Sequence, residues 1–254
     1  MVSTSERRPT RGGRRRAPRG RRGRSNPRMT VGDIARGIVR LIGELLFTAG
    51  VLMLFFAAYE VYGKQFETQK EQNELAQGLE EQWKEPKGPD SEPLPGSANA
   101  RMYIPDLDLQ WVVVNGVSQE DIKYSPGHYT GNAEAGQPGN YAVAGHRTPG
   151  IFWDLDQLDD GDTIVLEDQD NFYTYEVIKE QVVTPDNVWV VDPDPFDKKN
   201  NDDPERSLLT LTTCAPKLNN THRLIVWGEL SDTRPKDQGM PESIADMAPE
   251  NADA

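Results

Sequence analysis

Sulfur and imidazole are scarce in this 254-residue chain, which has one cysteine, Cys214, and three histidines. A single thiol excludes an intramolecular disulfide framework and any CxxC metal or redox site. Three histidines leave little room for a zinc centre. Lysine is absent from the first 40 residues and acid nearly so: 13 arginines stand against Glu6 and Asp33, a net of +11. The remaining residues sum to -24, so the overall charge of -13 averages two opposite parts and does not describe a single acidic soluble enzyme. Hydrophobic residues make up only 36%, beside 19 prolines and 22 glycines. That composition suits a modest core with considerable unstructured chain around it. The length allows one or two domains.

Residues 1–28 include RGGRRRAPRGRRGRSNPR, which has nothing to bury and is expected to be disordered. Taken alone, such a basic stretch would suggest nucleic acid. The neighbouring segment changes that inference. Residues 41–62 read LIGELLFTAGVLMLFFAAYEVY, and Leu45–Tyr59 is 15 residues without a charge. About 20 residues cross a bilayer as a helix, which this segment supplies if Glu44 lies near one interface. Arg40 precedes Glu44 by four positions and can pair with it on one helical face. Tyr59 and Tyr62 are placed as interface anchors at the other end. A buried core helix would show a polar stripe, and this run shows almost none. A cleaved signal peptide would need an A-x-A site, whereas Ala57 and Ala58 follow Phe55 and Phe56 at the critical spacing. The expectation is an uncleaved anchor over 41–62, with residues 1–40 as a cytoplasmic Arg-rich disordered tail and residues beyond 63 outside. The arginines then set orientation and attract anionic lipid, making the bilayer a partner and nucleic acid none.

Residues 64–85 are rich in Gln, Glu and Lys and read as a solvated helix leading outward. Leu75, Leu79 and Trp83 form a thin apolar stripe, which fits a coiled-coil contact or, more simply, a stalk. PKGPDSEPLPGSANA, 86–100, is a proline-rich linker, so 63–100 forms an extracellular stalk and linker. Residues 233–254 are polar and acidic and read as a disordered tail. Between them, 101–232 is long enough for one compact domain. It carries short runs rich in Val, Ile, Thr and aromatics at 111–114, 141–144, 163–166, 172–183, 208–213 and 224–230, punctuated by Gly, Pro, Asn and Asp. Residues 163–183 form a hairpin turning at EDQDN, and Ser118 can cap a short helix with Asp121 in its third position. Many short strands argue for a barrel or a sandwich.

Cys214 ends the strand-like run LLTLTTC, before a proline-containing loop. His146 ends a second run, YAVAGHR, and Arg223 begins a third, RLIVWGEL. If these strands are neighbours, the three side chains meet at one rim. An imidazole can hold the proton that a thiolate releases, and a guanidinium can stabilise an oxyanion. Against this, a lone cysteine is usually a small buried hydrophobe. His146 can be a surface residue, Arg223 can pair with one of many carboxylates, and His128 and His222 compete for the base role.

The segments PGHYTGNAEAGQPGNYAVAGHRT (126–148), LDQLDDGDTIVL (155–166) and LLTLTTCAPKLNNTHRLIV (208–226) together resemble a sortase. The likeness covers nearly all of 101–232, and the phrasing of GHR and TTCAP is most similar to class E, the housekeeping type of high-GC Gram-positive bacteria. The resemblance implies a closed eight-stranded β-barrel with short helices, preceded by one transmembrane helix. It makes Cys214 the nucleophile, His146 the general acid/base and Arg223 the oxyanion and substrate stabiliser. The Ala215 backbone N–H adds an oxyanion donor; Thr212 and Thr213 are candidates for substrate contact or hydroxyl bonding, although strand residues of this type are more often structural. The implied reaction cleaves an LPxTG- or LAxTG-like sorting signal of a surface protein between Thr and Gly. The thioacyl-enzyme then passes the protein to a peptidoglycan-precursor amine, with no metal or organic cofactor. The run Asp154, Asp156, Asp159 and Asp160 resembles carboxylates that bind calcium in class A members, though in so acidic a chain a solvated surface is the plainer reading. Alternatives are a pilus-polymerising sortase that joins pilins through a lysine, a Cys-His hydrolase, and a non-catalytic membrane-anchored binding module.

Overall fold

The computed structural model describes residues 31–59, 64–84, 94–199 and 201–247. The arginine-rich stretch before residue 31, Tyr62, residues 85–93 of the expected linker and the last seven residues lie outside that set. Two helices come first, α1 (Val31–Ala58) and α2 (Lys64–Lys84), followed by eight strands. These are β1 (Ala98–Ile104), β2 (Leu109–Asn115), β3 (Gly127–His128), β4 (Gly139–Ala144), β5 (Thr163–Glu167), β6 (Asn171–Val183), β7 (Ser207–Ala215) and β8 (His222–Pro235). They close into a barrel in the order β1-β2-β3-β4-β7-β8-β6-β5, so the closed barrel is observed and the sandwich is not. All pairs are antiparallel except β2 with β3 and β4 with β7.

Each predicted strand is present, lengthened by a few residues. The β5–β6 turn is built as the sequence suggests: the Asp168 carboxylate accepts the N–H groups of Asp170 and Asn171, both at 2.8 Å. Ser118 and Asp121 cap each other reciprocally, with the Asp121 N–H donating to Ser118 Oγ at 3.2 Å and the Ser118 N–H to the Asp121 carboxylate at 3.0 Å. Barrel-facing residues such as Met102, Trp111, Tyr141, Ile164, Leu209 and Val226 form the main core.

Several strands are apolar on both faces, and three smaller clusters cover what would otherwise face water. Leu79 of α2 is fully buried against Ala98 and Val112, with Leu75 and Trp83 beside it. The apolar stripe of residues 64–85 is therefore occupied by the barrel wall and needs no coiled-coil partner. Gln72 reinforces the contact, its Oε1 accepting the Val112 N–H at 2.7 Å. On another face Ile244, fully buried, packs on Tyr103, Val165 and Phe172, with Met240 and Met247 around it. The segment read as an acidic disordered tail thus begins as the end of β8 and stays on the barrel through Met247. Its three apolar residues recur every three or four positions and match an uncovered patch. β1 likewise starts inside the expected linker, at Ala98.

The chain divides into two compact units at residues 55 and 56. In the first, α1 is long and apolar enough to cross a membrane and buries none of its residues. It begins at Val31, so residues 31–40, assigned to the disordered tail by composition, are helical. The expected pair forms, with Arg40 Nε donating to the Glu44 carboxylate at 3.0 Å.

Candidate active site

Strand pairing brings the three candidate residues into one row. In the antiparallel β7–β8 pair, Cys214 and Arg223 are direct cross-strand partners. In the parallel β4–β7 pair, Gly139 lies opposite Ser207 and Ala144 opposite Thr212. Two bonds carry that register past the end of β4: Gly145 N–H to the Thr212 carbonyl at 3.0 Å, and Thr213 Oγ1 to the Gly145 carbonyl at 2.8 Å. The next residue, His146, comes level with Cys214. The row His146, Cys214, Arg223 thus spans three adjacent chain segments at one rim, and all three residues are half-buried.

The loop holding His146 is fixed from several sides. A Cβ at Gly145 would lie 2.5 Å from the Phe152 ring, so only glycine allows this approach. The Phe152 N–H bonds back to the His146 carbonyl at 3.2 Å. Arg147 points inward, its side chain 3% exposed, and its Nη2 pairs with Asp156 at 2.8 Å. Its Nε donates to the Trp153 carbonyl at 2.9 Å, and its Nη1 reaches the Cys214 carbonyl at 3.5 Å. One guanidinium therefore ties the His146 loop to the end of β7. Sequence reasoning missed Arg147; the signal available was an arginine directly after the histidine, with aspartates at 154 and 156 within reach of its loop.

The other candidates occupy different surroundings. Thr212 donates to the Val143 carbonyl at 3.3 Å and Thr213 to Gly145, so both buried hydroxyls fasten β7 to β4 and its continuation. Ala215, buried, is followed by a cis peptide bond to Pro216. Arg223 Nη1 donates to the carbonyls of His222 at 2.9 Å and Asn220 at 3.4 Å, which folds its guanidinium over the β7–β8 loop. His222 is exposed and bonded to Thr221. His128 is fully buried, stacked on Tyr141 with centroids 4.2 Å apart, and its Nε2 bonds to the Ala133 carbonyl. Burial pushes the His128 pKa below its ordinary value, against a smaller upward pull from Glu134. In the strand register His222 falls opposite Ala215 and His128 opposite Val143, so neither is level with Cys214.

Two carboxylates of the acidic run, Asp154 and Asp156, are held by cations of the chain itself. Lys217 bridges Asp154 at 3.2 Å and Asp156 at 3.1 Å, and Arg147 takes the other side of Asp156. Burial acts to raise the Asp156 pKa, but its bond to Lys217 and the Arg147 charge hold it below its usual value. No group of three or more His, Cys, Asp or Glu with metal-binding geometry occurs among the described residues.

Comparison with known proteins gives concordant matches. A sortase-domain family model fits residues 102–231. Sortase SrtE1 of Streptomyces coelicolor is 34% identical over 218 residues, covering 81% of this chain and 60% of that protein, so the chain spans about 60% of that relative's length. Sortase SrtE2 of the same organism is 30% identical over 237 residues, 86% of this chain and 90% of the relative. Among solved structures, sortase E from Streptomyces avermitilis matches with a TM-score of 0.53 at 41% identity, over 59% of this chain and 99% of that one.

Proposed function

This chain belongs to the sortase family of cysteine transpeptidases, and we propose that it is a membrane-anchored transpeptidase of the class E type. In this reading it cleaves an LPxTG- or LAxTG-like sorting signal and joins the released carboxyl to a cell-wall precursor amine. The observation that carries the proposal is the row His146, Cys214, Arg223, set by backbone pairing across adjacent segments.

The Cys214 thiolate attacks the Thr carbonyl carbon, and the oxyanion that forms meets Arg223 and the Ala215 N–H. Collapse breaks the C–N bond, and His146 protonates the departing Gly amine. The acyl group remains as a thioester on Cys214. An incoming amine then gives its proton to His146 and attacks the thioester carbon. The C–S bond breaks, a new amide forms, and the thiolate is restored. Every atom and proton is accounted for without a cofactor.

Two further features support a peptide substrate. Val183 of β6 pairs with Arg223, so the loop after β6 starts beside the row. Val188 on that loop and Leu218 on the β7–β8 loop are 74% and 88% exposed, apolar side chains available to the leucine of a sorting signal. The anchor is α1, oriented with the arginine-rich N-terminus inside and the barrel outside.

Intact mass spectrometry of the full chain in nanodiscs, mixed with LPxTG and LAxTG peptides, tests the reading. A thioacyl adduct on Cys214, absent in Cys214→Ala and discharged by a diaminopimelate-bearing or oligoglycine amine, is the expected result. Discharge by water alone would make the protein a hydrolase. No adduct with either peptide, from a folded chain whose thiol alkylates freely, would overturn the transpeptidase reading.

A further inference from the structure

A groove of about 740 Å³ lies between α2, the start of β2 and the loop after His146. Its position is set by register. β3 has only two residues, and through it Val114 of β2 is level with Ala144 of β4. Moving toward the rim, β2 runs back to Gln110 and Asp108 while the other chain runs forward past His146 to Pro149 and Gly150. No strand fills the gap between them, and these residues line the groove.

The β2 edge facing the groove is built to take a peptide. The N–H of Val112 bonds Gln72 Oε1, and its carbonyl accepts from Gln72 Nε2 at 3.4 Å and Ser125 Oγ at 2.6 Å. The Gln72 side-chain amide thereby acts as one peptide unit of a missing neighbour strand. Residues two apart on a strand present their N–H and C=O to the same side, so those of Gln110 face the same way. Among the described residues nothing bonds them. An unpaired edge of this kind is the template for strand addition.

The opposite wall matches in repeat. Gln69, Asn73 and Gln77 line the groove four residues apart on α2, a spacing of about 6 Å. An extended peptide repeats its outward groups every two residues, at about 6.6 Å. The wall between them is polar as well, where Arg101 Nη2 pairs with Glu80 at 3.0 Å.

We propose that this groove binds the peptide portion of the incoming amine acceptor as an added strand on β2, presenting its amine toward His146. The proposal rests on the acyl-transfer reading above. It fits the chemistry of the second half-reaction: the amine must surrender its proton to His146, and the groove opens onto the His146 loop.

The test separates binding from turnover. A diaminopimelate-bearing stem peptide, added to the full-length Cys214→Ala chain in nanodiscs, is followed by amide hydrogen exchange. Protection of the Gln110 amide by tenfold or more is expected. Gln110→Pro, which removes the free edge donor at a position where no bond exists to lose, should weaken binding about tenfold, and so should the double change Asn73→Ala with Gln77→Ala, which leaves the strand backbone untouched. In the active chain the same variants should lower aminolysis relative to hydrolysis about tenfold while the rate of thioacyl formation stays unchanged. An equal fall in thioacyl formation would assign the groove to the sorting signal, and an unprotected Gln110 would leave it without a peptide; either result overturns the proposal. Failure to form any thioacyl adduct refutes the function above and leaves the exchange result to judge the groove by itself.

Discussion

Replacing Arg147 by Met should loosen the rim without opening the barrel. The guanidinium is 3% exposed and makes a 2.8 Å pair with Asp156, a 2.9 Å bond to the Trp153 carbonyl and a 3.5 Å approach to the Cys214 carbonyl. The pair contributes little net, because Asp156 is 41% exposed and keeps Lys217. The Trp153 carbonyl loses a charged donor, at about 1.5–3 kcal/mol, and the long contact adds a fraction of that. Methionine fills much of the space and removes the desolvation cost of a buried cation. The net loss should be about 2–3 kcal/mol, which lowers Tm by about 5–10 °C in a domain of this size. Acylation should fall further than stability alone implies. His146 and Cys214 belong to segments that Arg147 joins, and a misplacement of about 1 Å can reduce a rate by about 100-fold. Arg147→Lys restores the charge beside Asp156 but not the planar fork that reaches both carbonyls, and should stay within threefold of Met in rate. The assays are tryptophan-fluorescence melting of the full chain in nanodiscs and the rate of thioacyl formation. A Met variant that melts within 2 °C of the parent and acylates at the parent rate would refute the bridging role.

Two other outcomes rest on the same kind of reasoning. Burial depresses the His128 pKa, so the unfolded chain takes up its proton first as pH falls below about 6.5. Stability should therefore decline on the acid side of that value. His128→Phe, which keeps the stack on Tyr141, should flatten the decline between about pH 5 and 6.5 in melting curves; an unchanged slope would remove His128 from the account. Ile244→Ala should release the segment after β8 at a cost of about 2 kcal/mol, less than a central core truncation because the segment can detach alone. Faster hydrogen exchange confined to residues 240–247 is the expected reading, and unaltered protection there would contradict the packing described.

Much of this was legible in the chain because strand ends carry readable punctuation. Cys214, His146 and Arg223 each border a β-rich run, and all three proved to lie on adjacent segments. What sequence alone left open was pairing order: 62 residues separate the end of β4 from the start of β7, and nothing local says that the two run parallel side by side. β3 escaped notice because two residues have no periodicity. β1 was hidden by its proline-rich approach, although Met102, Tyr103 and Ile104 are all fully buried. The stripe Leu75, Leu79, Trp83 was visible, but an amphipathic face does not name what covers it. Met240, Ile244 and Met247 were outweighed by the acids around them, since composition averages over a segment while packing depends on three side chains. Arg147 was overlooked for a related reason, because an arginine in a charged chain signals a solvated surface until its carbonyl partners are seen.

The docking of α2 on β2 has a consequence for how the barrel tolerates being separated from the rest of the chain. Gln72, Leu79 and Glu80 meet Val112, Ala98 and Arg101, so a helix outside the matched sortase domain closes a seam of the barrel inside it. A fragment beginning at residue 94 would keep all eight strands and still lack its lid on that seam. The Val112 N–H would turn to water or to the edge of another molecule, and a protein built to join peptides covalently would acquire a way to join its own copies without any chemistry at all.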